Sequence, residues 1–326
     1  MKLYVVGGKQ RPNAAELDEW HRYQRAVVAE LDCESGRVRV AHEYESSPDA
    51  LPRDGGAVLF KAATRVGNRL YACTQTEVLV YTLPGFERVA RISSERFNDV
   101  HHVRPRADGS LLVVSTGLDC VLHMSAKGEL IREWPVLPPG EAPSWSPEID
   151  YRKLATTKPH RSHPNYTFEL EGRIWATRLE QRDAVCVEDF SQRIAIGDEP
   201  PHDGFEHRGE LYFTTVDGHV VVADAASRSV VRRFDLNALA RTGGALGWCR
   251  GLHVLARDQV LVGFSRIRLT GIKQNLRWLT NRARGRETHD LPTRVVHFDL
   301  ARGALVAEWN VERAGVNALF SIHSAD

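Results

Sequence analysis

HDGFEHRGELYFTTVDGHVVVADAASRSVVRRFD, residues 202–235, is the stretch from which the fold is read. Four short β runs follow one another in it: Asp203–His207, Glu210–Val216, His219–Asp224 and Ser229–Asp235. Arg208-Gly209 and Asp217-Gly218 break the first two junctions, and a polar link breaks the third. β-rich runs punctuated by Gly turns are the signature of an antiparallel meander.

The same unit recurs on both sides. Upstream it reads Val100–Arg104, Ser110–Thr116, Cys120–Ser125 and Glu129–Val136, and before that Val58–Ala63, Arg69–Thr74, Glu77–Thr82 and Glu87–Ile92. Between them and the quoted unit lies Pro164–Glu169, Arg173–Arg178, Ala184–Asp189 and Gln192–Gly197. A last copy opens with Gly251–Ala256 and Val260–Ser265 and resumes at Arg294–Asp299 and Leu305–Asn310. The N-terminal runs Lys2–Val6, Ala26–Leu31 and Arg37–His42 lack a first strand, and the C-terminal run Val316–His323 lacks partners. Joined, they make a sixth unit and remove an exposed sheet edge. The expectation is an all-β, six-bladed β-propeller over residues 1–326, closed by its N- and C-terminal strands, with a period near the roughly 40 residues of a propeller blade. A β-sandwich or a pair of sheet domains is the rival reading. The regular four-strand period and the lack of a Pro/Gly/Ser-rich linker disfavour it.

Composition bounds the function. The 326 residues carry 43 Lys+Arg against 42 Asp+Glu, a formal net charge of +1. No global field therefore favours nucleic acid or an anionic membrane, and neither is expected as a partner. No apolar run reaches the roughly 18 residues of a membrane-spanning helix, and the opening Met1–Gly8 is too short for a signal peptide. The five cysteines are odd in number, dispersed and never in a CxxC pair, which fits free thiols in a reducing, cytoplasmic setting. There is no GxSxG, GxxxxGK[ST], HExxH or placed GxGxxG, and Gly7-Gly8 reads as an ordinary turn signal.

Histidines open several of the innermost runs: Asn98-Asp99-Val100-His101-His102, Ser162-His163-Pro164-Asn165-Tyr166, Pro201-His202-Asp203 and, more faintly, Arg250-Gly251-Leu252-His253. His102 and His202 lie seven residues before Gly109 and Gly209, His163 nine before Gly172, and His253 five before Asp258. Every offset is odd, so unless a bulge intervenes the four side chains share one face of their strands. His101 falls on the opposite parity, as a supporting or core residue. The chemistry expected of His102, His163, His202 and His253 around a channel is a divalent transition metal, Zn or Fe and possibly Cu, with Asp99 and Asp203 as acceptors for ring N–H groups. The bland alternative is that some of the fourteen histidines open strands as hydrogen-bonded core residues.

Three long departures from the repeat, 8–25, 137–162 and 267–293, all fall on links at the end where the inner strands begin, and are expected to cap the channel. In Ala14–Arg25, Leu17, Trp20, Tyr23 and Val27 have helical spacing. The last insertion is basic and amphipathic, as a lid helix or a partner surface would be.

The repeat resembles six-bladed propellers of the NHL/SMP-30-like class, and a His from each of several blades resembles the metal-binding propeller lyases, such as the peptidyl-hydroxyglycine amidating lyases. The resemblance implies a His-ligated metal and lyase or hydrolase chemistry on a small substrate. The acidic and Asn ligand set of the SMP-30 lactonases has no counterpart here. Arg161, Arg250 and Lys61 would add positive charge for an anionic substrate, with Tyr166 or Asp203 as proton carrier. A non-haem iron or copper oxidoreductase with four His ligands, and a non-catalytic protein-binding propeller, stand as alternatives.

Overall fold

The computed structural model describes residues 1–241, 244–267 and 291–326. Twenty-four strands form six four-stranded antiparallel sheets among the described residues. Five blades are consecutive in the chain: β4 (Ala62–Val66) to β7 (Glu87–Ile92), β8 (Val100–Pro105) to β11 (Leu130–Pro135), β12 (Pro164–Leu170) to β15 (Asp189–Ala195), β16 (Phe205–His207) to β19 (Ser229–Asp235), and β20 (Trp248–Ala256) to β23 (Ala304–Asn310). The sixth combines β1 (Lys2–Gln10), β2 (Tyr23–Asp32) and β3 (Val38–Tyr44) with β24 (Ala318–Ser324) as its innermost strand. β24 pairs antiparallel with β1, from Leu3 opposite Ser324 to Gly8 opposite Ala318, so the two ends of the chain close the ring as the strand pattern requires.

Face-to-face stacking of the blades explains the burial pattern. In β9 (Leu111–Ser115) every residue is buried, because both faces of the strand are covered by neighbouring blades. The outermost strands alternate instead: β19 reads exposed, half-buried, exposed along Ser229–Asp235. Inter-blade cores follow, such as Phe168, Trp175, Phe213 and Val221 between the fourth and fifth blades in chain order from β1, each essentially removed from water and each contributing roughly 1.5–3 kcal/mol of burial. All five cysteines are free, and no helix among the described residues is long and apolar enough to cross a membrane.

Two local expectations are corrected. Gly7 and Gly8 continue β1 rather than turning: a Cβ at Gly7 would sit 1.8 Å from the Ala318 carbonyl oxygen, and one at Gly8 2.4 Å from Leu59 Cβ. These glycines let the closing strand and the Leu59 segment approach the backbone. The helix expected over Ala14–Arg25 is reduced to a single turn at Ala14–Glu16. Its last three residues, Tyr23–Arg25, are taken by β2, which zips onto β1 as far as Tyr23 opposite Gln10, so cross-strand pairing outweighs the helical spacing there. The insertion that remains still reaches the channel, where Trp20 lies 5.9 Å from the Lys61 ammonium. Of the third insertion, residues 268–290, which include most of the basic amphipathic stretch, lie outside the described residues.

Candidate functional site

All six innermost strands start at one end of the channel, the upper mouth, and each blade brings a side chain to it. β24 supplies Phe320, the segment before β4 supplies Lys61, β8 and the residue before it supply His101 and Asp99, and β12 and the residue before it supply Asn165 and His163. His202 and Asp203 precede β16, and Arg250 lies on β20.

Lys61 and Asp99 are the charged centre. Their ion pair is almost wholly removed from solvent, with 11% and 2% of the two side chains exposed. Burial works to raise the Asp99 pKa, but Lys61, His101 and His163 outweigh it and hold the carboxylate well below its usual range. Lys61 also stands 3.0 Å from His101 Nε2. On the far side of that ring, Nδ1 is 2.8 Å from Asn165 Oδ1, and the Asn165 amide nitrogen donates to the Pro201 carbonyl at 3.1 Å. Asn165 therefore presents an acceptor to His101, which fixes the proton on Nδ1 and leaves the Nε2 lone pair to receive Lys61. Burial, reinforced by Lys61 and opposed by Asp99, brings the His101 pKa down to about 4.

His163 is oriented by a relay that comes from the second insertion. The Thr157 hydroxyl donates to the Gly117 carbonyl, so it accepts from His160 Nε2 at 3.3 Å. That leaves His160 Nδ1 as the acceptor of His163 Nδ1–H at 3.0 Å, and His163 Nε2 as a lone pair with no hydrogen-bond partner among the described residues. The backbone is held too: the His163 N–H donates to Asp119 Oδ1 at 2.8 Å, with His163 at φ 54° and Asp119 at φ 49°. Left-handed non-glycine residues are costly and cluster at functional sites. Burial and the neighbouring His101 keep the His163 pKa well below its ordinary value. Its ring centroid is 5.0 Å from that of His101.

His202 completes the group, 6.4 Å from His101 between centroids. It is 6% exposed, yet its Nδ1 has no hydrogen-bond partner among the described residues and is 3.7 Å from Asp203 Oδ1, too far for one. Asp203 is committed elsewhere: its Oδ2 accepts from the Thr214 hydroxyl and from the Gly251 N–H at 3.1 Å, tying the β16–β19 blade to the β20–β23 blade. Arg250 stacks 3.6 Å over Phe320 and donates through Nε to the Leu319 carbonyl at 3.0 Å.

The other residues singled out in the sequence are placed differently. His102 points away from the mouth and is fully buried between inner strands. It takes the Thr167 N–H on Nδ1 at 3.3 Å, faces Thr64 Oγ1 from Nε2 at 3.3 Å, and stacks on Tyr166 with centroids 3.7 Å apart. Because Thr64 donates to the Val103 carbonyl at 2.6 Å, it accepts from His102, and both ring nitrogens are satisfied. The register of β8 slips between Val100 and His102, and this bulge exchanges the roles of His101 and His102 relative to strict alternation. Similar slips occur between Pro164 and Tyr166 and between Cys249 and Leu252. His253 lies lower in the channel, edge-on to Phe205 at 5.9 Å. Arg161 is exposed, its guanidinium on the Glu141 carbonyl. Among the described residues, no three His, Cys, Asp or Glu side chains are grouped to hold an ion. His160 and Trp20 belong to the mouth without any strand-opening signal to mark them, and Asn165 lies in the strand-opening stretch beside His163.

No family model and no curated protein sequence matches the chain. Among solved structures, the chain is similar to the crystal structure of a protein of unknown function from Bacteroides caccae, at 13% identity and a TM-score of 0.61, over 98% of this chain and 97% of that one. At that identity the likeness is one of fold.

Proposed function

We propose that the protein is an enzyme that acts on a small anionic substrate at the upper mouth, by proton transfer of the lyase or hydrolase type. The observation that carries this reading is the His163 imidazole: neutral, with its proton locked on Nδ1 by the His160–Thr157 relay and its Nε2 lone pair free at the mouth. An oriented neutral imidazole beside a buried ammonium is the arrangement general-base chemistry needs. In this reading His163 takes a proton from the substrate or from water. Lys61, with its counter-charge Asp99, stabilises the negative charge that develops, and Arg250, anchored on Phe320, holds an anionic group of the substrate. His202, with its unpartnered Nδ1, is the second imidazole available to return the proton. The pairs Trp20–Lys158, at 4.9 Å, and Lys158–Glu19, at 2.6 Å, join the first two insertions over the site.

The test is a thermal-shift and turnover screen of small carboxylates, lactones and phosphate esters against the wild type, His163→Gln and Arg250→Met. A compound that stabilises the wild type, is turned over by it, and loses turnover in His163→Gln while binding more weakly to Arg250→Met supports the reading. Turnover that persists in His163→Gln contradicts it. Tight capture of a protein partner through the mouth, with no small-molecule response, favours a binding propeller instead.

A transition-metal reading keeps one supporting observation, the gathering of His101, His163 and His202 with an orphaned nitrogen among them. The donor set then differs from that read in the sequence, since both nitrogens of His102 are engaged and His253 lies elsewhere. Lys61 would have to leave His101 Nε2 for the three rings to converge. A bound metal would supply Lewis-acid polarisation or redox chemistry. Metal content near one per chain that falls in His101→Ala, His163→Ala and His202→Ala supports it, and content that falls only in His102→Ala counts against it.

A further inference from the structure

The ammonium of Lys61 stands where the geometry of its neighbours would seat an ion. Three successive blades place a charged or ligating residue immediately before the innermost strand: Lys61 before β4, Asp99 before β8 and His163 before β12. Asp99 and His163 share a left-handed backbone, at φ 52° and 54°, a conformation that is costly for a non-glycine residue and persists only where its surroundings enforce it. Equivalent positions of the repeat thus bring a cation, a carboxylate and an imidazole to the mouth.

Distances locate the position. Asp99 Oδ1 and His101 Nε2 are 3.5 Å apart, and two ligands bound to one tetrahedral ion at about 2.0–2.1 Å stand roughly 3.4 Å apart. The centroids of His101 and His163 are 5.0 Å apart, close to the spacing of two imidazoles that share an ion through Nε2. Both rings also have the outer bond that orients a ligating histidine. Nδ1 of His101 is held by Asn165 and Nδ1 of His163 by His160, each bond leaving Nε2 as the lone pair. The notch between Asp99 Oδ1 and His101 Nε2 is filled by Lys61 Nζ, ion-paired to the first and 3.0 Å from the second. Among the described residues the three donors do not close into a ligand group, as expected while an ammonium fills the space between two of them.

Lys61 is held in this place. Its backbone N–H donates to the Cys73 carbonyl at 2.8 Å, only 11% of its side chain is exposed, and the Trp20 ring lies 5.9 Å from its ammonium. Departure would strand the buried Asp99 carboxylate without its counter-charge. A second cation brought in beside it would meet a like charge at a few ångströms in a site shielded from water.

We propose that Lys61 is a tethered cation in place of a divalent metal ion, filling the notch between Asp99 and His101 and excluding zinc, iron or copper from it. The consequence for the mouth, which rests on the proton-transfer reading above, is that the ammonium itself is the electrophile and the chemistry needs no added ion. This sets that reading against the alternative in which an ion displaces Lys61.

The experiment is a titration of the chelator-treated full chain with Co2+, followed by visible d–d absorption and by thermal melting. The wild type is expected to take up no Co2+ that His101→Asn removes. Lys61→Ala empties the notch and leaves Asp99 and both imidazoles in place. It is expected to bind about one Co2+ per chain with a tetrahedral spectrum and to melt at a higher temperature with the ion than without it, and Lys61→Ala/His101→Asn to lose both effects. Lys61→Ser takes the place of Lys61→Ala if the latter does not fold, and the wild-type titration depends on no variant. Uptake of about one Co2+ per wild-type chain that is lost in His101→Asn, or a folded Lys61→Ala or Lys61→Ser that takes up none, would overturn the proposal. Turnover is read in neither arm, so failure of the proton-transfer reading and failure of this one are distinguishable.

Discussion

The upper mouth and the layer around His102, adjacent along the same channel, treat the same side chain in opposite ways. At His102 each ring nitrogen has a partner and the ring face is stacked on Tyr166. That imidazole is a packing element with polar ends. At the mouth the relay engages only Nδ1 of His163, and His202 keeps a buried Nδ1 without a hydrogen-bond partner among the described residues, where most buried polar groups of a fold are paired. The contrast separates two uses of one side chain: His102 packs the inner strands together with both ring nitrogens engaged, and these two mouth imidazoles keep a nitrogen that the chain does not engage.

The largest effect expected of a single substitution is at the mouth's charge pair. Lys61→Met leaves Asp99 buried without its counter-charge, a loss of about 3–5 kcal/mol in chemical denaturation at pH 7. Adding Asp99→Asn should recover most of it. If Lys61→Met unfolds no more easily than the wild type, the pair is not the buried ion pair described.

Next comes the comparison itself. His102→Ala removes a fully buried stacked ring and strips the Thr167 N–H of its acceptor, for a loss of about 3 kcal/mol. His202→Ala removes a ring with an unsatisfied nitrogen and should cost about 1 kcal/mol or less. Equal losses would erase the distinction between the two layers.

A pH effect of similar or smaller size sharpens it further. Burial depresses the His101 pKa from 6.5 to about 4, so below pH 6.5 the unfolded chain binds a proton that the native site refuses. Stability is therefore full above pH 6.5 and falls as pH drops toward 4, by up to about 3 kcal/mol from this residue. Asp99 acts in the same direction but only in stronger acid, since its depressed pKa keeps its contribution intact until below about pH 4. Denaturation midpoints of wild type and His101→Asn between pH 7 and 4 check this: the variant should show the shallower slope.

The fold was legible because its signals are local and repeated. The Asp217-Gly218 turn and the alternation along Ser229–Asp235 read the same in sequence and in structure, and β18 (His219–Asp224) begins and ends where the pattern places it. The lone β1 with its partner β24 followed from the need to close a ring. The site was legible only in outline. His163 and His202 lie at the mouth, whereas the parity argument exchanged His101 with His102, because a bulge at Val100–His102 adds a residue that no composition signal marks. His160 and Trp20 come from insertions, whose side chains are aimed by tertiary contacts such as the Ala57 N–H bond to the Trp20 carbonyl rather than by any period.

The most direct test of the account is the protonation state of the mouth histidines, read from long-range 1H–15N correlation spectra of the imidazoles at pH 7. The account predicts a neutral His163 with its proton on Nδ1 and a bare Nε2, a neutral His101 with its proton on Nδ1, and a neutral His102 with its proton on Nε2 that stays untitrated to the onset of acid unfolding. Addition of a substrate-like anion should move the His163 and His202 signals and leave His102 in place. A His163 that is charged at pH 7 or carries its proton on Nε2, or a ligand that moves His102 instead, would contradict it.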